Sequence, residues 1–361
     1  MQGAYHTAAD LPEGGNGQTG TSADKEYYPP SVYRNPPRGD FDPLQASDAD
    51  LETYCLPARP DGAAAPVALS NWKRAMSRPF FFTPGGIAEL TMPAQAGDQA
   101  GRASGGGPAQ EASRNWSGAY IRPRDGRQLV LVEAMWIVPK PYPPVSWRQG
   151  NGSTTATFGS STWVGLDGHD PRSMSLPQIG TAQFVTADAS GQTPSVFAWW
   201  QWWVRGEPNN APMMIGEFPV ASGDLVHCRV TARSSERVNL FIKNQSSGAV
   251  VSFDVEAPKP KQGKPTDRDI IVEGRTAEWV LERPTKPGSK ELLTLPDYGA
   301  TIFYACNAAA RTGDIWEEQQ LERARLIKLK DWDRPSNGAT VSTPVRLSES
   351  SLLLCYQGNV P

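Results

Sequence analysis

The chain has 361 residues, a formal net charge of −3, and 33 prolines and 34 glycines. That length allows one large domain with an appendage or two ordinary domains. The small net charge excludes a basic field for nucleic acid or a polycationic face for an anionic membrane.

Residues 1–46 are rich in Gly, Pro, Asn and Asp and have no apolar periodicity, so a disordered or extended arm is expected. The first residues show neither a basic n-region nor an apolar h-region, so no secretory signal is expected within them. No apolar run reaches the length a membrane span needs. Composition therefore assigns no compartment. Residues 47–112 read differently. Ser47 before Asp-Ala-Asp-Leu-Glu-Thr predicts an N-cap and an acidic first turn, and Leu69, Trp72 and Met76 have helical spacing. Two short helices follow from this, either packed on the main domain or serving as a pro-segment. Residues 94–112 are Gly/Ala/Gln/Ser-rich and read as a flexible linker.

From residue 113 to 361 the pattern is strand after strand. β-rich runs occur at 128–138, 161–166, 196–204, 225–232, 238–243, 249–255, 276–282, 300–306 and 350–356. Turn dipeptides such as Asp125-Gly126, Asp167-Gly168 and Gly223-Asp224 separate some of them. One helix is expected over residues 314–329. The absence of alternating βαβ spacing predicts an all-β, antiparallel double-sheet sandwich. Ten of the twelve tryptophans fall between residues 115 and 316, where such rings fill a thick core or line a groove. Along 197–203, Phe197, Trp199, Gln201 and Trp203 alternate with Ala198, Trp200 and Trp202, so both faces of that strand carry large rings.

Most hydrolytic toolkits are missing. There is no G-x-S-x-G elbow, no H-E-x-x-H, no Asp-Thr/Ser-Gly and no phosphate-cradling glycine loop. His169, near Asp167 and beside Asp170, reads as a solvated loop histidine. Cys55, Cys228, Cys306 and Cys355 form no CxxC, so spacing supports neither a metal site nor a redox pair. Cys228 and Cys306 read as buried thiols.

A series of strand motifs remains. In chain order these are Asn115-Trp-Ser-Gly-Ala, Glu133-Ala-Met-Trp-Ile-Val-Pro, Trp163-Val-Gly-Leu-Asp-Gly and Leu176-Pro-Gln-Ile-Gly. Phe197-Ala-Trp-Trp-Gln-Trp-Trp, Ala277-Glu-Trp-Val-Leu-Glu and Leu295-Pro-Asp-Tyr-Gly-Ala-Thr-Ile-Phe complete the set. In type and order they resemble the glutamic peptidases (eqolisins) across nearly all of residues 115–304. The resemblance implies a lectin-like double sheet with a concave groove that cleaves peptide bonds in acid, without cofactor or metal. It implies a monomer whose partner is a polypeptide substrate, not nucleic acid or a membrane. It makes Gln178 and Glu278 the catalytic pair and places Trp163, Asp167, Trp199 and Gln201 in substrate binding. At Gln201 the family pattern has a glutamate; loss of that charge predicts a lower-titrating Glu278 here.

Taken alone, the residues are less telling. Positions 278, 280 and 282 share one strand face, which would ordinarily be solvated, and Gln178 after a proline reads as a plain loop amide. The rival to an enzyme is a non-catalytic glycan- or peptide-binding sandwich, with Trp163, Trp199 and Trp203 as a stacking platform.

Overall fold

Period-two alternation of apolar residues builds nearly every element of this chain. The computed structural model describes residues 28, 30–83, 86–89, 110–124, 126–149, 154–207, 211–260, 269–286, 289, 291–313, 315–332 and 338–358. Short strands β1 (Val32–Tyr33), β2 (Phe81–Phe82) and β3 (Ile87–Glu89) flank helices α1 (Asp48–Thr53) and α2 (Pro66–Met76). The sandwich opens with β4 (Gln110–Ser113), β5 (Trp116–Ile121) and β6 (Gln128–Ile137). After the one-turn helix α3 (Val145–Gln149) come β7 (Ala156–Leu166), β8 (Ser175–Asp188), β9 (Gly191–Val204) and β10 (Met213–Ile215). A meander follows: β11 (Leu225–Ser234), β12 (Arg237–Asn244) and β13 (Ala249–Glu256). The chain then adds β14 (Ala277–Glu282), β15 (Ala300–Thr312), β16 (Ile315–Gln319), β17 (Arg325–Asp331), β18 (Ala339–Arg346) and β19 (Leu352–Tyr356).

Strand neighbours define two layers. The front layer runs β17–β5–β14–β7–β8–β9–β10–β3, and the back layer runs β15–β6–β11–β12–β13–β1. β18 and β19 join the two through β17 and β15. Pairing is antiparallel throughout, except where β2 joins β13 and β4 joins β17. The main core lies between the layers. Ile179, Ala198, Trp200, Trp202, Ala277 and Trp279 enter it from the front, and Val132, Trp136, Val230, Leu240 and Phe253 from the back. Burial of these faces from water is the chief stabilising term. Cys228 and Cys306 are fully buried thiols, as their apolar runs imply.

One expectation changes. Residues 314–329 were expected to be helical, but they form β16, a 3₁₀ turn at Leu321–Arg323 and the start of β17. Their Glu- and Arg-rich composition favours helix, yet the ladder with β15 and the period-two burial of Ile327, Leu329 and Asp331 override that weak preference. The arm expected over residues 1–46 is described at residue 28 and from residue 30. In that part Val32 and Tyr33 pair with Val255 and Asp254, an extended segment on the edge of the back layer. Residues 1–27, and residues 90–109 with most of the expected linker, lie outside the described residues; 110–113 is strand β4.

Both predicted helices form. Ser47 caps α1, with its hydroxyl accepting from Asp50 N and the Asp50 carboxylate returning to Ser47 N. α2 has no cap of its own at Ala65, and Glu318 on β16 supplies one by accepting from Val67 N at 3.0 Å and from Ala68 N. At the other end, Lys243 Nζ donates to the carbonyls of Ala75 (3.0 Å) and Ser77 (2.6 Å). Trp72, Ala75 and Met76 pack on Phe241 and Val250. Beneath α2, the buried Glu133 accepts from Asn71 and contacts His227 and Arg229. The helices therefore cover the outer face of the back layer. They lie on the side opposite the β14 and β8 motifs.

Candidate active site

The outer face of the front layer carries a second cluster: Trp116, Tyr120, Trp163, Leu176, Trp199, Trp203 and Val280, among others. All the polar residues singled out on this face lie within one part of it. Glu278 on β14 pairs with Gly165 on β7, Gly165 with Gln178 on β8, and Gln178 with Gln201 on β9. Directly opposed residues project from the same face, so these four form one row across four strands. The row continues through Tyr120 on β5 and Arg325 on β17.

Glycine at 165 gives this row its use. Glu278 and Gln178 stand two strand spacings apart, about 10 Å between backbones, with no side chain of the row between them. Leu176 Cδ1 reaches into the space over Gly165, so a peptide bond and a water enter between Glu278 and Gln178 only once Leu176 moves. A Cβ at 165 would lie 2.6 Å from Leu176 Cδ1 and 3.1 Å from both Gln178 Cβ and Pro177 O. Gly165→Ala is expected to lower kcat/KM by about 10²-fold through misplacement of Gln178, at a stability cost of about 1–3 kcal/mol. Steady-state kinetics beside a urea titration check this; wild-type kcat/KM would remove the gap from the argument.

Gln178 lies inside the fourteen-residue β8, although Pro177 suggested a loop. The β7 ladder ends at Gly165–Gln178, so Pro177 has β9 alone beside it, a position where the missing N–H is tolerated. Gln178 Nε2 donates to Gln201 Oε1 at 2.8 Å, which fixes the orientation of the carboxamide.

Glu278 is fully buried, and burial pushes its pKa up to about 8 against the opposing hydrogen bonds. Its Oε1 accepts from His169 N at 3.0 Å. Oε2 has no partner in hydrogen-bond alignment, with the Thr276 hydroxyl and Gly168 N–H nearby. The absence of a carboxylate at 201 is thus not what governs Glu278, which lies three strand spacings away from Gln201. Burial dominates, with a further rise from Asp167.

Asp167 has a task of its own. It sits at φ +73°, in the left-handed region that Asp tolerates better than most residues. Its carboxylate accepts from the backbone N–H groups of Glu273, Gly274 and Arg275 at 2.7, 3.0 and 2.6 Å. It thereby clamps the β7–β8 turn to the segment leading into β14, while burial lifts its own pKa to about 6.

Trp163 is fully buried and donates Nε1 to Glu282 Oε2 at 2.9 Å, while Asn115 Nδ2 donates to Glu282 Oε1 at 3.1 Å. Glu282 was visible in the sequence only as a same-face neighbour of Glu278. It proves to be a second buried carboxyl, lifted to about 8 by desolvation. Trp199 and Trp203 are 1% and 8% exposed. The sugar-stacking platform of the rival reading needs exposed ring faces, and this conformation does not present them. Among the described residues, no group of three or more His, Cys, Asp or Glu could hold a metal ion, and no helix is long and apolar enough to cross a membrane.

The sequence model of the Peptidase A4 family matches residues 114–355, two thirds of the chain, including Glu278, Gly165, Gln178 and Gln201. The chain belongs to the peptidase A4 family. As an eqolisin it is a peptide hydrolase on a β-sandwich. Among solved structures it is similar to scytalido-glutamic peptidase with a transition state analog inhibitor, at 20% identity, 67% of this chain and 98% of that one, and TM-score 0.47. SCP-B, an eqolisin in complex with the tripeptide Ala-Ile-His, gives 20% identity, the same coverages and TM-score 0.44. Aspergilloglutamic peptidase from Aspergillus niger gives 19% identity, 55% and 99% coverage, and TM-score 0.41. No curated protein matches the chain significantly.

Proposed function

We propose that this eqolisin is an endopeptidase in which Glu278 activates water and Gln178 stabilises the oxyanion. The observation that carries it is the row Glu278–Gly165–Gln178–Gln201, which sets a carboxyl and a carboxamide on either side of a glycine, with no side chain of the row between them. In its carboxylate form Glu278 takes a proton from water as the oxygen adds to the peptide carbonyl carbon. The Gln178 amide, oriented by Gln201, donates to the oxyanion. Glu278 then returns the proton to the leaving nitrogen as the C–N bond breaks. No acyl-enzyme forms, and the new carboxyl oxygen comes from water.

Trp163 and Trp199 border this gap and serve as apolar walls for substrate side chains, while Asp167 holds the turn that carries the Glu278 partners. Since the pair is buried here, peptide entry has to open the cover over this face. The elevated pKa of Glu278 sets the working range. An ordinary glutamate would be a carboxylate, and so able to act as base, above a pKa of about 4.3. Burial moves that limb up to about pH 8, so activity falls in acid and rises through neutral pH.

The test is digestion of an unfolded protein in ¹⁸O-labelled water from pH 2 to 8, with mass spectrometry of the fragments. Internal cuts, one label per new C-terminus and no trappable covalent adduct are expected. Product made only by trimming from an end, or a captured acyl-enzyme, would overturn the endopeptidase mechanism.

A further inference from the structure

His169 is not the solvated loop residue its acidic neighbours suggested. Its side chain is only 10% exposed, and its ring stacks on Tyr120 with centroids 3.7 Å apart and planes 16° apart. Nε2 lies 3.0 Å from Glu111 Oε2, an ion-pair distance, although neither ring nitrogen has a partner in hydrogen-bond alignment. Glu111 does more than meet His169. Its Oε1 accepts from Tyr120 OH at 2.7 Å and from Arg325 Nη1 at 3.4 Å. Tyr120 and Arg325 are the residues that extend the Glu278 row, and His169 N is the donor to Glu278 Oε1. One carboxylate thus ties together three groups that surround the reacting acid.

Glu111 lies on β4, outside the family-matched residues 114–355, and reaches the site because β4 pairs in parallel with β17. We propose that Glu111 and His169 are a positioning pair for Glu278, supplied in part by this chain's N-terminal extension, and that they set both the placement of its carboxyl and the pH at which it works. The inference rests on the catalytic reading of Glu278. Glu111 clamps the imidazole against Tyr120, which holds His169 N on Oε1. Its negative charge, held on the ring that carries His169 N, also acts on the ionisation of Glu278. Burial and the His169 contact act on Glu111 in opposite senses; the contact dominates and brings its pKa down to about 2.

The other charges facing this cluster are already paired or fixed. Asp170 is held by Arg122 and Arg172, Glu273 by Arg275, and Asp167 by three backbone amides. Arg122 also lies over the Tyr120 ring, Arg325 faces Glu111, and Glu282 stands two residues along β14 from Glu278.

The pair makes a signed prediction. Glu111→Gln removes a negative charge from the cluster around Glu278, so the Glu278 limb of the pH–rate profile moves to lower pH. His169→Gln removes the ring that Glu111 pairs with and leaves Glu111 to Tyr120 and Arg325 alone, so the limb moves to higher pH. Each shift is expected to be about half a pH unit or more, with kcat lowered about tenfold and KM little changed. The experiment is kcat/KM against pH for the full chain and these variants, with Glu278→Gln alongside and near-UV circular dichroism as the folding control. Limbs that stay in place, or move in the same direction, in folded single variants overturn the positioning pair. A Glu278→Gln variant that cleaves at the wild-type rate overturns the catalytic reading instead. If one single variant fails to fold, the other carries the test, since its shift has its own sign.

Discussion

Glu278→Gln is expected to fold and to lose about 10³-fold in kcat/KM, most of it in kcat. The substitution keeps the length of the side chain and an acceptor for His169 N, and it removes the one group in the row that can take up and return a proton. Gln178→Ala is expected to lose about 10²-fold, the usual scale for deletion of one oxyanion donor, and to leave Gln201 Oε1 without the donor it now accepts from. The measurement is initial-rate cleavage of a quenched peptide across pH, with urea unfolding to show that each variant is folded. The two variants distinguish the roles. Loss of the base flattens the acid limb of the profile, because no titrating group is left to define it. Loss of the carboxamide lowers the whole profile and leaves the limb in place. A folded Glu278→Gln within a few-fold of wild type would sink the assignment of Glu278 as base.

Much of this was legible in the chain, because strand periodicity and side-chain face are local properties. The alternation of Phe197, Trp199, Gln201 and Trp203 against Ala198, Trp200 and Trp202 places each ring in the cluster it occupies. The shared face of 278, 280 and 282 likewise survives folding. What local pattern could not show was the partner across the ladder. Gln178 looked like a loop amide because Pro177 signals a break, and only the end of β7 at Gly165 explains why a strand accepts it. The role of Gly165 itself is invisible without that register. Burial was the second blind spot. An alternating Glu278–Glu282 face ordinarily meets water, and nothing along the chain said that a second aromatic cluster would cover it. The same holds for His169, whose acidic neighbours in sequence, Asp167 and Asp170, turn to backbone amides and arginines, while its ion-pair partner is Glu111, far away along the chain. The helix expected over residues 314–329 failed for the reason that propensity usually fails, since ladder partners outweigh it.

The buried carboxyls also predict how stability depends on pH. Glu278 and Glu282 both rise from 4.5 to about 8 in the folded state, first through desolvation. A carboxyl with a raised folded pKa binds more protons folded than unfolded between those two values. Stability from this source is therefore fully present below about pH 4.5 and is lost as pH rises toward 8, at up to about 1.4 kcal/mol per pH unit per group. Asp167, raised from 3.8 to about 6, adds the same sign over its narrower window. Glu111, brought down to about 2, acts the opposite way and loses its contribution as pH falls below 4.5. Stability is thus expected to peak near pH 4.5 and to fall toward neutral. Glu278→Gln isolates one of the causes, since a carboxamide in that pocket is never charged. The variant should match wild type within experimental error at pH 4.5 and exceed it at pH 8 by on the order of a few kcal/mol, read as the difference in urea-unfolding free energy. A group held against its own ionisation at a reactive position weakens the fold in the range where its carboxylate is needed. The most damaging substitution for activity should then be stabilising at neutral pH. Equal stability of the two proteins at pH 8 would show that Glu278 ionises there without cost and would remove burial as the cause of its elevated pKa.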